Sequence, residues 1–93
     1  MKDVKNIPEM ILEKAGVYQD KVALRYKREG QYRSISWREL VVLFRNCSAG
    51  LRDLGVKKGD KIATIMENGP EWVIVDIGIL SNGAIHVPIY TTS

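Results

Sequence analysis

The sequence predicts an α/β fold that closes with a parallel strand–helix–strand unit, and three observations predict it. "KIATIM", "ENGP", "EWVIVDIGILSNG" and "AIHVPI" follow one another as a β-rich run, a turn, a helical run and a second β-rich run with short links. Two further β-rich runs flank "REGQ" in "KVALRYKREGQYRSIS". Between these two units, Ser36 and Glu39 stand in the S-x-x-E spacing of a capping box, directly ahead of apolar residues at helical intervals.

In chain order, "IPEMILEKAG" predicts a short helix with Asn6 as its N-cap, Pro8 and Glu9 in the first turn, and Gly16 just past its end. The runs around "REGQ" predict an antiparallel hairpin in which Gly30 supplies a positive φ. Leu40, Leu43, Phe44, Cys47, Leu51 and Leu54 then mark the apolar side of a long amphipathic helix running to Gly55. Arg38, Arg45 and Arg52 recur at seven-residue intervals on another side, the pattern of a solvated face rather than a phosphate-binding stripe. The closing β-α-β unit is expected to be a right-handed parallel crossover.

The last helix, from Pro70 to Asn82, has apolar residues all round its axis, with Glu71, Asp76 and Ser81 as its clear polar positions. A helix of that kind is buried on every side. A parallel sheet is covered on both faces, and "AIHVPI" has the near-continuous apolar character of a strand buried in that way. The chain supplies too few elements to cover both faces, so residues 1–93 are expected to form a single partial domain.

Composition narrows the functional classes. The 14 Lys and Arg against 11 Asp and Glu leave +3, too mild and too well mixed to indicate nucleic-acid binding. The single cysteine cannot form an intramolecular disulfide, which fits a reducing compartment and makes the cytoplasm the expected location. "MKDVKNIPEM" has no apolar region behind its charges, and the most apolar segment, Trp72 to Leu80, is short and carries Asp76, so no membrane span is expected.

Chemistry-bearing residues are sparse. "GLRDLGV" has glycines but neither the Lys nor the hydroxyl residue of a phosphate loop, and no G-x-G-x-x-G occurs. One Cys and one His cannot close a zinc site. His86 is the obvious acid–base candidate, yet beside Val87 and Pro88, with no evident Ser, Cys or carboxylate to orient it, it reads as a packed side chain. Cys47 reads as core. Asn68 reads as a turn or N-cap residue, and an anion at that helix start would be opposed by Glu67 and Glu71.

Taken in series, "SWREL", "GLRDLGVKKGDKIA", "ENGPEW" and "GILSNGAIHVPIY" resemble the beginning of the AMP-forming acyl-CoA synthetases, especially long-chain fatty acid–CoA ligases, within the adenylate-forming superfamily. The resemblance covers nearly the whole chain. It implies the start of the large N-terminal domain of such an enzyme, and a parent activity that joins a fatty acid to coenzyme A through an acyl-adenylate, with ATP, Mg²⁺ and coenzyme A as cofactors. The family's phosphate loop, adenine and magnesium motifs, ribose-binding Asp and C-terminal Lys have no counterpart here, and the hydroxyls of "YTTS" are not that loop. No catalytic, cofactor-binding or metal residue is therefore assigned, and the chain alone is expected to be inactive. The alternative is a stand-alone module that binds a partner or itself. Unpaired strand edges and uncovered apolar surface make a homodimer the expected state.

Overall fold

The computed structural model describes residues 7–66 and 69–90, and the expected N-caps at Asn6 and Asn68 lie outside them, as do Glu67 and the hydroxyls of residues 91–93. Its elements follow the expected order: α1 (Ile7–Tyr18), β1 (Val22–Arg28), β2 (Gln31–Ser36), α2 (Trp37–Asp53), β3 (Lys61–Thr64), α3 (Pro70–Ser81) and β4 (Ile85–Pro88). They fall into two compact units, residues 1–42 and residues 43–93.

In the first unit, α1 runs through Gly16 rather than stopping there. Nothing lies within 4 Å of a Cβ built at Gly16, so no packing demand breaks the helix at that point. The stop comes at Gln19, whose φ of 42° turns the chain out of the helix while its N–H still donates to the Ala15 carbonyl. β1 and β2 then pair antiparallel, with Arg28 opposite Gln31, Lys27 opposite Tyr32 and Tyr26 opposite Arg33. Glu29 and Gly30 both have positive φ, 52° and 76°, the geometry of the two-residue turn whose twist matches that of the strands. The sequence marks Gly30 for that role, and the structure adds Glu29. The register slips between Val22 and Leu24, and Ile35 is the buried residue of the ladder.

The capping box forms as its spacing predicts. Glu39 N–H donates to Ser36 Oγ at 3.1 Å, and Ser36 N–H donates to Glu39 Oε1 at 2.9 Å. Two further donors at the start of α2 reach backbone carbonyls, Trp37 N–H to Lys21 and Arg38 N–H to Gln19. The Ser36 backbone N–H donating to the carboxylate, with a smaller contribution from the Ser36 side chain, holds the Glu39 carboxyl below its ordinary range. Its contribution to stability is therefore complete above the ordinary carboxylate range and is lost as pH falls through the depressed value. We expect Ser36→Ala to cost about 1 kcal/mol in denaturant unfolding. Glu39→Gln should keep the box while flattening the acid limb of the stability–pH curve, and an unchanged limb would remove Glu39 from that role.

The second unit holds most of α2. The helix ends with a left-handed Gly55, φ 96°, whose N–H donates to the Arg52 carbonyl while Val56 N–H reaches back to Leu51. This paired closure satisfies two of the helix's free carbonyls and needs a residue without a Cβ penalty at the turn. Of the expected apolar stripe, Leu40 and Phe44 are buried, at 3% and 2% exposure, and Cys47 and Leu51 are half-buried. Leu43 and Leu54 are exposed, so the buried strip is narrower than the apolar spacing predicts. Arg38, Arg45 and Arg52 are all exposed, and Arg38 pairs with Asp20.

β3 and β4 run parallel, Lys61 opposite Ile85 and Ile62 opposite His86, and the ladder extends through Ile85 N–H to Asp60 and Ile89 N–H to Thr64. α3 connects them. Its N-cap is Gly69, which has no side chain to offer, and Pro70 supplies the preset φ of a first helical position. No residue of α3 other than Glu71 and Ser81 is exposed, as its all-round apolar character predicts. Ile77, Ile79 and Ala84 join Phe44 as the buried apolar set of this unit. The sheet has two unlike faces: Ile62, Thr64, His86 and Pro88 are half-buried, whereas the alternate residues Lys61, Ala63, Ile85 and Val87 are exposed.

Candidate functional site

In the second unit, Thr64, Asp76 and Trp72 converge on His86. β4 places it opposite Ile62, beside the neighbouring β3 residue Thr64, and α3 brings Asp76 to the other edge of the ring. His86 Nδ1 lies 2.7 Å from Asp76 Oδ1, and His86 Nε2 lies 2.7 Å from Thr64 Oγ1. An ionised carboxylate only accepts, so Nδ1 carries the hydrogen and donates to Asp76. In the neutral ring Nε2 then accepts from the Thr64 hydroxyl. Trp72, one helical turn before Asp76, tilts its ring over the imidazole at 5.3 Å between centroids.

The sequence reading of His86 as a packed side chain holds in burial, since its side chain is only 4% exposed. The reading that it lacks an orienting carboxylate does not hold, and the Thr64 hydroxyl is a partner the sequence did not suggest. Asp76 and Thr64 lie ten and twenty-two residues away in sequence, and only the crossover brings them to one ring. One signal could have found Asp76: an acid within a helix apolar on every side must have a partner, because burying an unpaired charge is costly.

Hydroxyl, imidazole and carboxylate in that order form the sequence by which a hydroxyl nucleophile is activated. Here the imidazole is sealed, and both ring nitrogens are engaged by side chains of the unit itself. The arrangement therefore works as a fastening across β3, α3 and β4, each element contributing one member. A second fastening lies at the far end of α3. Asn82 Nδ2 lies 3.0 Å from the Ser48 carbonyl, 3.1 Å from Ser48 Oγ and 3.2 Å from the Gly78 carbonyl, joining α3 to the part of α2 in this unit. Four residues earlier, a Cβ built on Gly78 would stand 2.8 Å from Cys47 Sγ, so the two helices meet where α3 has no side chain. Burial raises the Cys47 thiol pKa, the opposite of what an activated nucleophile requires.

Among the described residues, no group of three or more His, Cys, Asp or Glu could hold a metal ion. No helix among them is long and apolar enough to cross a membrane.

A family model described as AMP-binding enzyme matches residues 11–93. A long-chain-fatty-acid–CoA ligase of Homo sapiens is 33% identical over 87 residues, covering 94% of this chain and 12% of the ligase. A crotonobetaine/carnitine–CoA ligase of Salmonella paratyphi B is 36% identical over 85 residues, covering 90% of this chain and 16% of the ligase. The N-terminal subdomain of Klebsiella oxytoca NpsA superposes with a TM-score of 0.86 at 30% identity, over 97% of this chain and 23% of that one. The chain thus spans less than a fifth of the length of these curated relatives.

Proposed function

Because the chain belongs to the AMP-binding enzyme family, we propose that it forms the opening scaffold of an ATP-dependent acyl-CoA synthetase acting on a fatty acid. The full reaction in this reading consumes fatty acid, ATP and coenzyme A and yields acyl-CoA, AMP and pyrophosphate. The observation that carries it is the match to two CoA ligases across nine-tenths or more of the chain. Family membership implies use of ATP, and Mg²⁺ and coenzyme A belong to the proposal.

The described residues do not themselves fit these groups. His86 and Asp76 are engaged with each other, and the start of α3 carries Glu71 where a phosphate would need positive charge. No chemical step is therefore assigned to them. Their part is positional, holding β3, α3 and β4 in fixed register, and the cytoplasm is the proposed setting. Fatty-acid-dependent ATP–pyrophosphate exchange should stay at background for the purified 93-residue chain. In the Salmonella ligase, exchange dependent on that enzyme's own acid should persist when these residues replace its matching segment. Exchange by the chain alone, or a folded chimera without exchange, would overturn the scaffold reading.

A second reading, self-association, is favoured by one observation. Among the described residues β3 and β4 pair only with each other, and Ile85 and Val87 are 48% and 41% exposed on the open face of that sheet. An unpaired edge beside an apolar face is a template for a second copy. Sedimentation at micromolar concentration should show a dimer that Val87→Lys dissociates, and a strictly monomeric chain would exclude it.

A further inference from the structure

The formal charge of the chain is unevenly placed. Between Val22 and Ser36 stand Arg25, Lys27, Arg28 and Arg33 against the single acid Glu29, so the hairpin carries the whole excess of +3 and the remaining residues balance. All four cations are exposed. The register puts Arg25 and Lys27 on one face with Ser34 and Tyr32, and Arg28 and Arg33 on the other with Gln31 and Tyr26. Positive charge thus surrounds the turn end of the hairpin on both faces. Tyr32, 74% exposed, stands among these cations.

We propose that the turn end of the β1–β2 hairpin docks on an anionic lipid bilayer. Its chemistry suits a plane of headgroups better than a nucleic-acid strand. Single-stranded nucleic acid is held by bases stacked on open aromatic faces. Here the Arg28 guanidinium sits 5.3 Å over the half-buried Tyr26 ring and Lys27 Nζ 5.5 Å over the exposed Tyr32 ring, so Tyr32 alone keeps an open face, and one ring is no platform for successive bases. Cations spread over both faces of a narrow ribbon match a continuous charged surface rather than a single groove-bound backbone. An exposed tyrosine beside them supplies the amphipathic ring that settles at headgroup level. The surface requires no membrane-spanning helix and stands independently of the acyl-CoA synthetase reading.

The test is co-sedimentation of the 93-residue chain with phosphatidylglycerol-containing vesicles and with vesicles of phosphatidylcholine alone. Binding is expected only to the first, weakening as salt rises. Each basic residue near an anionic surface is worth roughly a fivefold change in affinity, so Arg25→Gln with Lys27→Gln should weaken binding about 25-fold. Arg45→Gln with Arg52→Gln makes the same change in net charge on exposed positions of α2 and should leave binding unchanged. Lys27→Arg should retain it. Equal loss in both double variants would show that net charge, not the hairpin, is responsible. Failure to bind anionic vesicles at low salt would overturn the proposal, as would capture of a single-stranded RNA oligomer or a polyglutamate peptide by a chain that ignores the vesicles.

Discussion

Ile79→Ala is expected to lower the unfolding free energy by about 2–5 kcal/mol. Ile79 has no solvent exposure and is the most deeply buried member of a set that includes Ile77, Ala84 and Phe44. Removing its three outer carbons forfeits their transfer from water and leaves a void that the surrounding backbone can only partly close. The helix resists collapse because Gly78 already holds it in close contact with Cys47. Small domains have about 5–15 kcal/mol in all, so this one substitution should remove a large share of the unit's stability. Ile79→Val, which keeps the branched shape, should cost about 0.5–1.5 kcal/mol. Ile85→Ala, at a residue 48% exposed, should cost less than Ile79→Ala. Urea unfolding of the three variants would check the order, and an Ile79→Ala midpoint indistinguishable from the parent would refute the placement of the core.

Asp76→Ala should cost about 1–3 kcal/mol, because it leaves the His86 Nδ1–H without its acceptor inside the unit. The side chain of Asp76 is 27% exposed while that of His86 is 4%, so the histidine is the member that water cannot readily rescue. Asp76→Asn retains a carbonyl oxygen able to accept the same hydrogen bond and should be milder. Thr64→Val should strand Nε2 in the same manner and at similar cost. If the three side chains act as one fastening, Asp76→Ala and His86→Leu combined should cost less than the sum of the two, by about 0.5–3 kcal/mol. Strict additivity in that double-mutant cycle would show that the short distances carry no coupling.

Local features were legible in the sequence because their causes are local. Ser36 and Glu39 meet because they are three residues apart, Gly30 turns the hairpin, and Gly55 closes α2. The strand–helix–strand order was legible for the same reason, since the β-rich runs, the longer helical run and the turn residues between them are each written locally. The His86 cluster was not. Its members come from three elements, and their meeting depends on the parallel register that sets His86 opposite Ile62. Glu29 shows a second limit: a residue with no conformational preference for positive φ is carried there by its glycine neighbour and the strand pairing around it. Leu43 and Leu54 show a third, because apolar spacing identifies candidates for burial while the number of packed neighbours decides how many are buried. The end of α1 was misplaced because Gly16 permits a helix as well as a stop when nothing crowds it.

The bare backbone of Gly78 against Cys47 makes the lone thiol a gauge of helix separation. The thiol is half-buried, and its Gly78 side is closed, since a single Cβ there would already stand at 2.8 Å from Sγ. A reagent too bulky for the remaining side reacts only as α2 and α3 part, and when reclosing outruns the chemistry its rate scales with the population of the parted state. Comparing a small with a bulky disulfide reagent at Cys47 thereby separates that local opening from direct attack, without a spectroscopic probe. Substitutions that loosen the Asn82–Ser48 fastening should accelerate the reaction even where the global melting curve hardly moves.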